Sequence, residues 1–232
     1  MKRPMAYSAA MTTMTPIPPH RRCHDPVSRR YSSRVVFLER GIEAIVRPDP
    51  GCTPWQPTLT EYLAVYRAVG APWMWHGRLE KGMQALSRRL SDSREERFKI
   101  ELNGRIAGFC ELRHAPPLAT EILHCGLRPD LQGRGLGRSL LMTALDAARQ
   151  QGATRVWLHT CSEDSAAALP FYENVGFRVF GTRLEWVTDP RHRGLLSPDT
   201  TPAFALPWDV SGPRRFGDAG SAAAPADGNR RE

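Results

Sequence analysis

The chain lacks any apolar run near the roughly 18 residues a membrane helix requires, and its mean hydropathy is −0.42. Near the N-terminus, Pro16, Pro18 and Pro19 interrupt a basic stretch with no apolar core of the signal-peptide kind, so a cytoplasmic location is expected. No Cys-x-x-Cys pair occurs. The five cysteines (Cys23, Cys52, Cys110, Cys125 and Cys161) are odd in number and scattered, which argues against a zinc site or a disulfide framework. His20, Cys23 and His24 have no second half of a ligand set, and no metal is expected. Lysine is scarce: three Lys stand beside 29 Arg, which points to a GC-rich genome rather than a selected surface.

The formal net charge of +8 suggests a nucleic-acid partner until it is located. Residues 1–34 carry seven basic residues against one acidic, while residues 35–190 carry 19 against 18. The excess belongs to an N-terminal arm, and nucleic acid is not the expected partner of the folded part. Residues 1–32 read as a disordered, basic, Pro/Ser/Arg-rich arm. Residues 33–190 read as one domain and residues 191–232 as a mostly disordered tail. Leu195, Leu196 and Phe204 could still bring part of that tail onto the domain.

Within the domain, Val35-Val36-Phe37-Leu38 marks a first strand inside residues 34–46. Leu59, Tyr62, Leu63 and Tyr66 keep helical spacing over residues 58–69, and Leu79, Met83, Leu86 and Leu90 repeat it over residues 79–90. Strands follow at residues 97–102, 105–113 and 119–127, the first two joined by Asn103-Gly104, a strong hairpin signal. A helix is expected at residues 139–151, a strand at 155–161, a short helix at 165–174, and strands at 177–180 and 182–187. This order predicts one mixed, mostly antiparallel α+β sheet of about six to seven strands with helices on both faces.

Between the strand ending at Leu127 and the following helix lies Gln132-Gly133-Arg134-Gly135-Leu136-Gly137-Arg138. A glycine-rich turn that opens a helix presents unpaired backbone N–H groups and the positive end of the helix dipole to an anion. The dinucleotide pattern G-x-G-x-x-G fails, because Arg138 stands at its last glycine. The nucleotide P-loop fails as well, for want of Gly-Lys. Q-x-x-G-x-G fits, as Gln132, Gly135 and Gly137.

At this point the chain resembles the GNAT superfamily of acyl-CoA N-acetyltransferases, over about residues 33–190. Four pieces carry the likeness: Gly126-Leu127-Arg128-Pro129 leading into Gln132–Gly137, the helix after it, the strand Val156-Trp157-Leu158-His159-Thr160, and residues 168–177 as an A-x-x-F-Y-x-x-x-G-F box. The resemblance implies a splayed strand pair that holds acetyl-CoA as cosubstrate, with the pyrophosphate on Gln132, Gly133, Arg134, Gly135, Leu136, Gly137 and Arg138. It implies main-chain contacts from Cys125 and Leu127 to the pantetheine arm. Acetyl would pass directly to a primary amine, on a small molecule or a protein, in a ternary complex.

For the chemistry, Glu121 is the expected base, because strand alternation puts it on one face with Leu123, Cys125 and Leu127. Glu111 is the second candidate. His124, by the same alternation, faces away and has a packing or supporting role. His159 is a further titratable neighbour. Tyr172 matches the tyrosine that protonates the departing thiolate in many family members. Trp73, Trp75 and Arg78 fall where the family builds its acceptor wall. Ser165 replaces an Asn common in the family, which puts the finer cofactor geometry in doubt. The other reading is a non-catalytic acyl-CoA-binding regulatory domain whose basic arm binds a partner. The acceptor's identity, and whether two copies pair, stay open.

Overall fold

The computed structural model describes residues 23–42, 51–115 and 119–206. Expectations that fall on residues 1–22 and 207–232 lie outside them. Among the described residues no helix is long and apolar enough to cross a membrane.

The chain runs β1 (His24–Asp25), β2 (Arg30–Gly41), β3 (Cys52–Pro54), α1 (Leu59–Gly70), α2 (Gly82–Leu90), β4 (Glu95–Leu102), β5 (Arg105–Ala115), β6 (Ala119–Leu127), α3 (Leu136–Gln150), β7 (Arg155–Cys161), α4 (Ala168–Asn174) and β8 (Arg178–Thr188). Local chemistry sets most of these bounds. The Thr58 hydroxyl caps α1 by accepting from the Glu61 N–H at 3.2 Å. Asn103 and Gly104 both take positive φ, 52° and 73°, as a tight hairpin between β4 and β5 requires. The second helix starts three residues later than its spacing suggests. Gly82, at φ 76°, breaks the right-handed path after Leu79, so Leu79 and Leu86 are buried while Met83 turns to solvent.

The sheet order is β8-β2-β7-β6-β5-β4-β3, with β1 also on β2, and every pairing except β6–β7 is antiparallel. Eight strands replace the expected six to seven; β1 and β3 are short pieces of two and three residues. The two strands expected near the C-terminus are one strand, β8, with an irregularity opposite Phe37 and Leu38. The sheet also begins before residue 33, because β1 and the start of β2 pair through Tyr31 and Arg30. Burial explains this: Tyr31, Ser32 and Ser33 are all buried.

Two cores lie on opposite faces. On one, α3 buries Leu140, Leu141, Ala144 and Leu145 against Cys110, Leu112, Ile122 and Leu127. Each fully buried Leu contributes roughly 1.5–3 kcal/mol. On the other, Tyr62, Val65, Tyr66 and Val69 of α1 pack with Trp55, Met74 and Phe109. Leu196 joins this second core and Phe204 meets Tyr31 at 5.7 Å, so the described part of the C-terminal segment packs on the domain.

Two irregularities shape the site. The parallel pair β6–β7 runs from Ala119↔Arg155 to Ile122↔Leu158 and stops. Beyond it β6 continues on β5 to Leu127, and β7 continues on β2 to Cys161, so the sheet opens between them as expected. Where it opens, the β5–β6 register shifts: Leu112 pairs with Ile122, but Glu111 pairs with His124. Leu123 is the extra residue of a bulge. This overturns the expected facing. A bulge reverses alternation, so His124 shares a face with Glu111, Arg113 and Glu121, whereas Cys125 and Leu127 join Ile122 on the α3 face.

Candidate active site

A cavity of about 770 Å³ opens along the parted strands. Its walls come from the glycine loop (Gln132, Gly133, Gly135, Gly137 and Arg138), from residues 122–127 of β6, and from β7 with its following turn. Phe171 and Tyr172 of α4 and Trp73 and Trp75 after α1 complete it. Arg134, Leu136, Arg78 and Glu121 do not line it.

The loop owes its shape to two glycines. Gly133 and Gly135 have φ of 75° and 80°, a left-handed conformation costly for other residues, and Gly135 caps α3. A Cβ placed on either would meet nothing within 4 Å, so space lies directly before the backbone. While the Arg138 amide donates to the Gly135 carbonyl at 3.0 Å, the Leu136 and Gly137 amides at the start of α3 have no acceptor inside the helix. A phosphate could therefore approach them closely, with the Arg138 guanidinium beside it.

Trp75 is held on three sides. A Cβ on Gly70 would stand 2.5 Å from its ring, and one on Gly126 would stand 3.0 Å from it, so both glycines make room for the indole. Its Nε1–H donates to Asp164 at 3.2 Å, linking the turn after α1 to the turn after β7. Asp164 in turn accepts from the Thr160 hydroxyl at 2.8 Å and the Cys161 N–H at 2.9 Å. Trp73 and Trp75 line the cavity. Arg78 does not. Its guanidinium is buried in ion pairs with Glu111 at 2.8 Å and Glu95 at 3.2 Å.

Glu111 is fully buried and collects donors. It accepts from the Tyr62 hydroxyl at 2.9 Å, Arg97 Nε at 2.6 Å, Arg78 Nε at 3.2 Å and His124 Nδ1 at 3.0 Å. Burial alone would raise its pKa, but the bond from His124 and the charges of Arg78 and Arg97 outweigh that and hold the carboxyl well below the usual range. Such an anion is a poor base. His124 lines the cavity beside Trp75 (5.1 Å) and Tyr66 (5.3 Å). Burial lowers its pKa below the ordinary histidine value despite Glu111.

Glu121 faces Arg113 across the β5–β6 ladder, on the same sheet face as His124. Burial raises its carboxyl pKa, with Arg113 and Arg89 opposing. Tyr172 is 8% exposed, lines the cavity and packs on Phe171 and Phe177; burial raises its phenol well above the usual value, so it stays protonated. His159 also lines the cavity, and burial lowers its imidazole. Cys125 and Leu127 lie on the parted stretch of β6, where no β7 residue pairs with them. Ser165 does not cap α4 itself; its hydroxyl accepts from the Ala167 N–H in the turn before.

Sequence reasoning set His124 aside, and the bulge that redirects it carries no glycine or proline to announce it. One signal was present. Glu111 interrupts an otherwise apolar run, Phe109-Cys110-Glu111-Leu112, where a carboxylate must be paired if buried.

A family model described as the acetyltransferase (GNAT) family matches residues 60–177, just over half of the chain. A mycothiol acetyltransferase of Thermomonospora curvata is 33% identical over 95 residues, 41% of this chain and 32% of that protein. The N-alpha-acetyltransferase RimI of Mycobacterium tuberculosis is 42% identical over 77 residues, 33% of this chain and 46% of that protein. The chain thus spans less than half the length of either relative. Among solved structures, a GCN5-related N-acetyltransferase from Sphaerobacter thermophilus shares the fold at a TM-score of 0.51 and 19% identity, over 67% of this chain and 51% of that one.

Proposed function

Because the chain belongs to the acetyltransferase (GNAT) family, we propose that it moves an acetyl group from acetyl-CoA to a primary amine by direct attack in a ternary complex. The observation that carries this reading is the coincidence of a glycine cradle at the start of α3 with the opening between β6 and β7, in one cavity. A strand-like pantetheine arm fits where β6 has lost its neighbour, with main-chain contacts at Cys125 and Leu127. The amides of residues 133–137 and the guanidinium of Arg138 hold the pyrophosphate.

The thioester is already activated, so no covalent enzyme intermediate is needed. The amine must lose a proton, its nitrogen attacks the carbonyl carbon, and the C–S bond breaks. Tyr172, kept protonated by burial, supplies a proton to the leaving thiolate. Glu121, whose raised carboxyl sits on the same sheet face as His124, is a base acting through water or a support for the group that does act. Trp73 and Trp75 form the acceptor wall, where an ammonium group gains cation–π attraction. Since one relative is named an N-alpha-acetyltransferase, peptide α-amines belong beside small amines among the acceptors to try.

The test is to incubate the full chain with acetyl-CoA and a panel of primary amines (peptides with free N-termini, polyamines and amino sugars), following release of coenzyme A thiol. Turnover well above the uncatalysed rate with at least one amine is expected. Tight acetyl-CoA binding with no thiol release from any amine would favour the regulatory-domain reading.

A further inference from the structure

We propose that His124 is the group that takes the proton from the acceptor amine, with Glu111 as its positioning residue; this rests on the acetyl-transfer reading above. Geometry fixes the tautomer. An ionised Glu111 can only accept hydrogen bonds, and it already binds Tyr62, Arg78 and Arg97, so the ring nitrogen 3.0 Å from it, Nδ1, carries the hydrogen. In the neutral ring the lone pair therefore lies on Nε2, away from Glu111. Glu111 is wholly buried, whereas the His124 side chain is 18% exposed and lines the cavity. This is the arrangement by which a buried carboxylate turns an imidazole into an aimed base.

The surroundings keep the ring neutral. Glu111 of β5 favours its protonation, while Arg78 after α1 and Arg89 of α2 oppose it. Arg97 and Glu95 of β4 are tied into the same ion-pair network, Tyr62 and Tyr66 of α1 stay protonated, and His159 of β7 lines the same cavity. Asp164 is bonded to Trp75, whose ring packs on the imidazole, and His76 lines the same cavity. Glu121, two residues before the bulge, shares its sheet face but does not line the cavity.

The step balances. Nε2 of His124 takes one proton from the ammonium group, and the freed amine nitrogen forms a bond to the carbonyl carbon. Collapse of that adduct breaks the C–S bond, and Tyr172 protonates the thiolate. The second nitrogen proton returns to Tyr172, and His124 gives its own to solvent. Amide, thiol and one proton are the products.

Two measurements test this. In wild-type protein with ¹⁵N-labelled histidine, long-range ¹H–¹⁵N spectra should show His124 as the Nδ1–H tautomer at neutral pH, titrating below the ordinary histidine value. Its signal is assigned by its loss in His124→Asn. That variant keeps an amide donor where Nδ1 stood, so the bond to Glu111 and the fold are preserved, but it has no base nitrogen. With an amine that supports turnover, kcat in His124→Asn should fall by about 10²–10⁴-fold, the usual worth of a general base. The loss of rate toward low pH should vanish with it, while KM for acetyl-CoA stays within about threefold. If the variant misfolds, the wild-type tautomer still decides, and an Nε2–H tautomer overturns the proposal. So does a variant that keeps its rate and its acid limb, or an acid limb that disappears only in Glu121→Gln; acetyl transfer itself would then stand. No turnover by wild-type protein with any amine would remove both readings together.

Discussion

At the scale of single residues, Glu111 and Tyr172 hold opposite protonation states, an ionised carboxylate and a neutral phenol. Glu111 neutralises Arg78 and Arg97, all three buried. Glu111→Leu would leave two guanidinium groups short of a partner, a change that typically costs about 3–5 kcal/mol. Urea denaturation should read a loss of that order. The folded-state carboxyl lies below the unfolded Glu value of about 4.3. Its contribution is therefore complete above about pH 4.3 and is lost as pH falls further, a dependence that Glu111→Leu should weaken. Tyr172→Phe removes a proton donor and little volume. We expect kcat to drop by about 10²–10⁴-fold with acetyl-CoA affinity nearly unchanged, measured by initial rates and by calorimetric titration. Because burial raises that phenol, wild-type activity should not fall through tyrosine ionisation near pH 10.

At the scale of elements, the glycine loop and α3 are built from local rules, and the sequence shows them openly. Q-x-x-G-x-G sits between a strand and an amphipathic stripe, and the left-handed Gly133 and Gly135 occupy the turn that pattern implies. The facing of β6 was not open to the same reasoning. Alternation put Glu121 on one face with Cys125 and Leu127, but pairing with β5 adds Leu123 as an extra residue, so His124 joins the Glu121 face while Cys125 and Leu127 turn to the other. Bulges belong to the ladder between two strands, so one strand's pattern cannot reveal them. Arg78 escaped for the same reason: its partners Glu95 and Glu111 lie 17 and 33 residues away and meet it only in the folded sheet. Gly135→Val tests the loop itself. A β-branched residue at φ 80° strains the N-cap of α3, and acetyl-CoA affinity should fall by at least about tenfold while α3, held by its core contacts, persists. Titration calorimetry and far-UV circular dichroism read the two effects separately.

At the scale of the whole molecule, the order of strands and helices was legible because each has a clean period, and the mixed sheet with helices on both faces follows from it. The domain's edges were less so. Tyr31 of β2 meets Phe204 of the C-terminal segment, and Leu196 enters the core beneath α1, so chain distant in sequence packs on the face covered by α1. The resulting molecule sets two ionisable systems around one opening: a protonated phenol on α4 and a carboxylate-held imidazole on β6. That pairing suits direct transfer, which requires one group to accept a proton and another to give one.

The most direct test of that claim is stoichiometry. With an amine that is turned over, coenzyme A thiol and acetylated amine should be counted in the same reaction, and the protein weighed by mass spectrometry at intervals. The account predicts one acetylated amine for each thiol released and no acetyl group on the protein at any time. An acetylated protein that passes its acetyl group to the amine, or thiol released without acetylated amine, would contradict it.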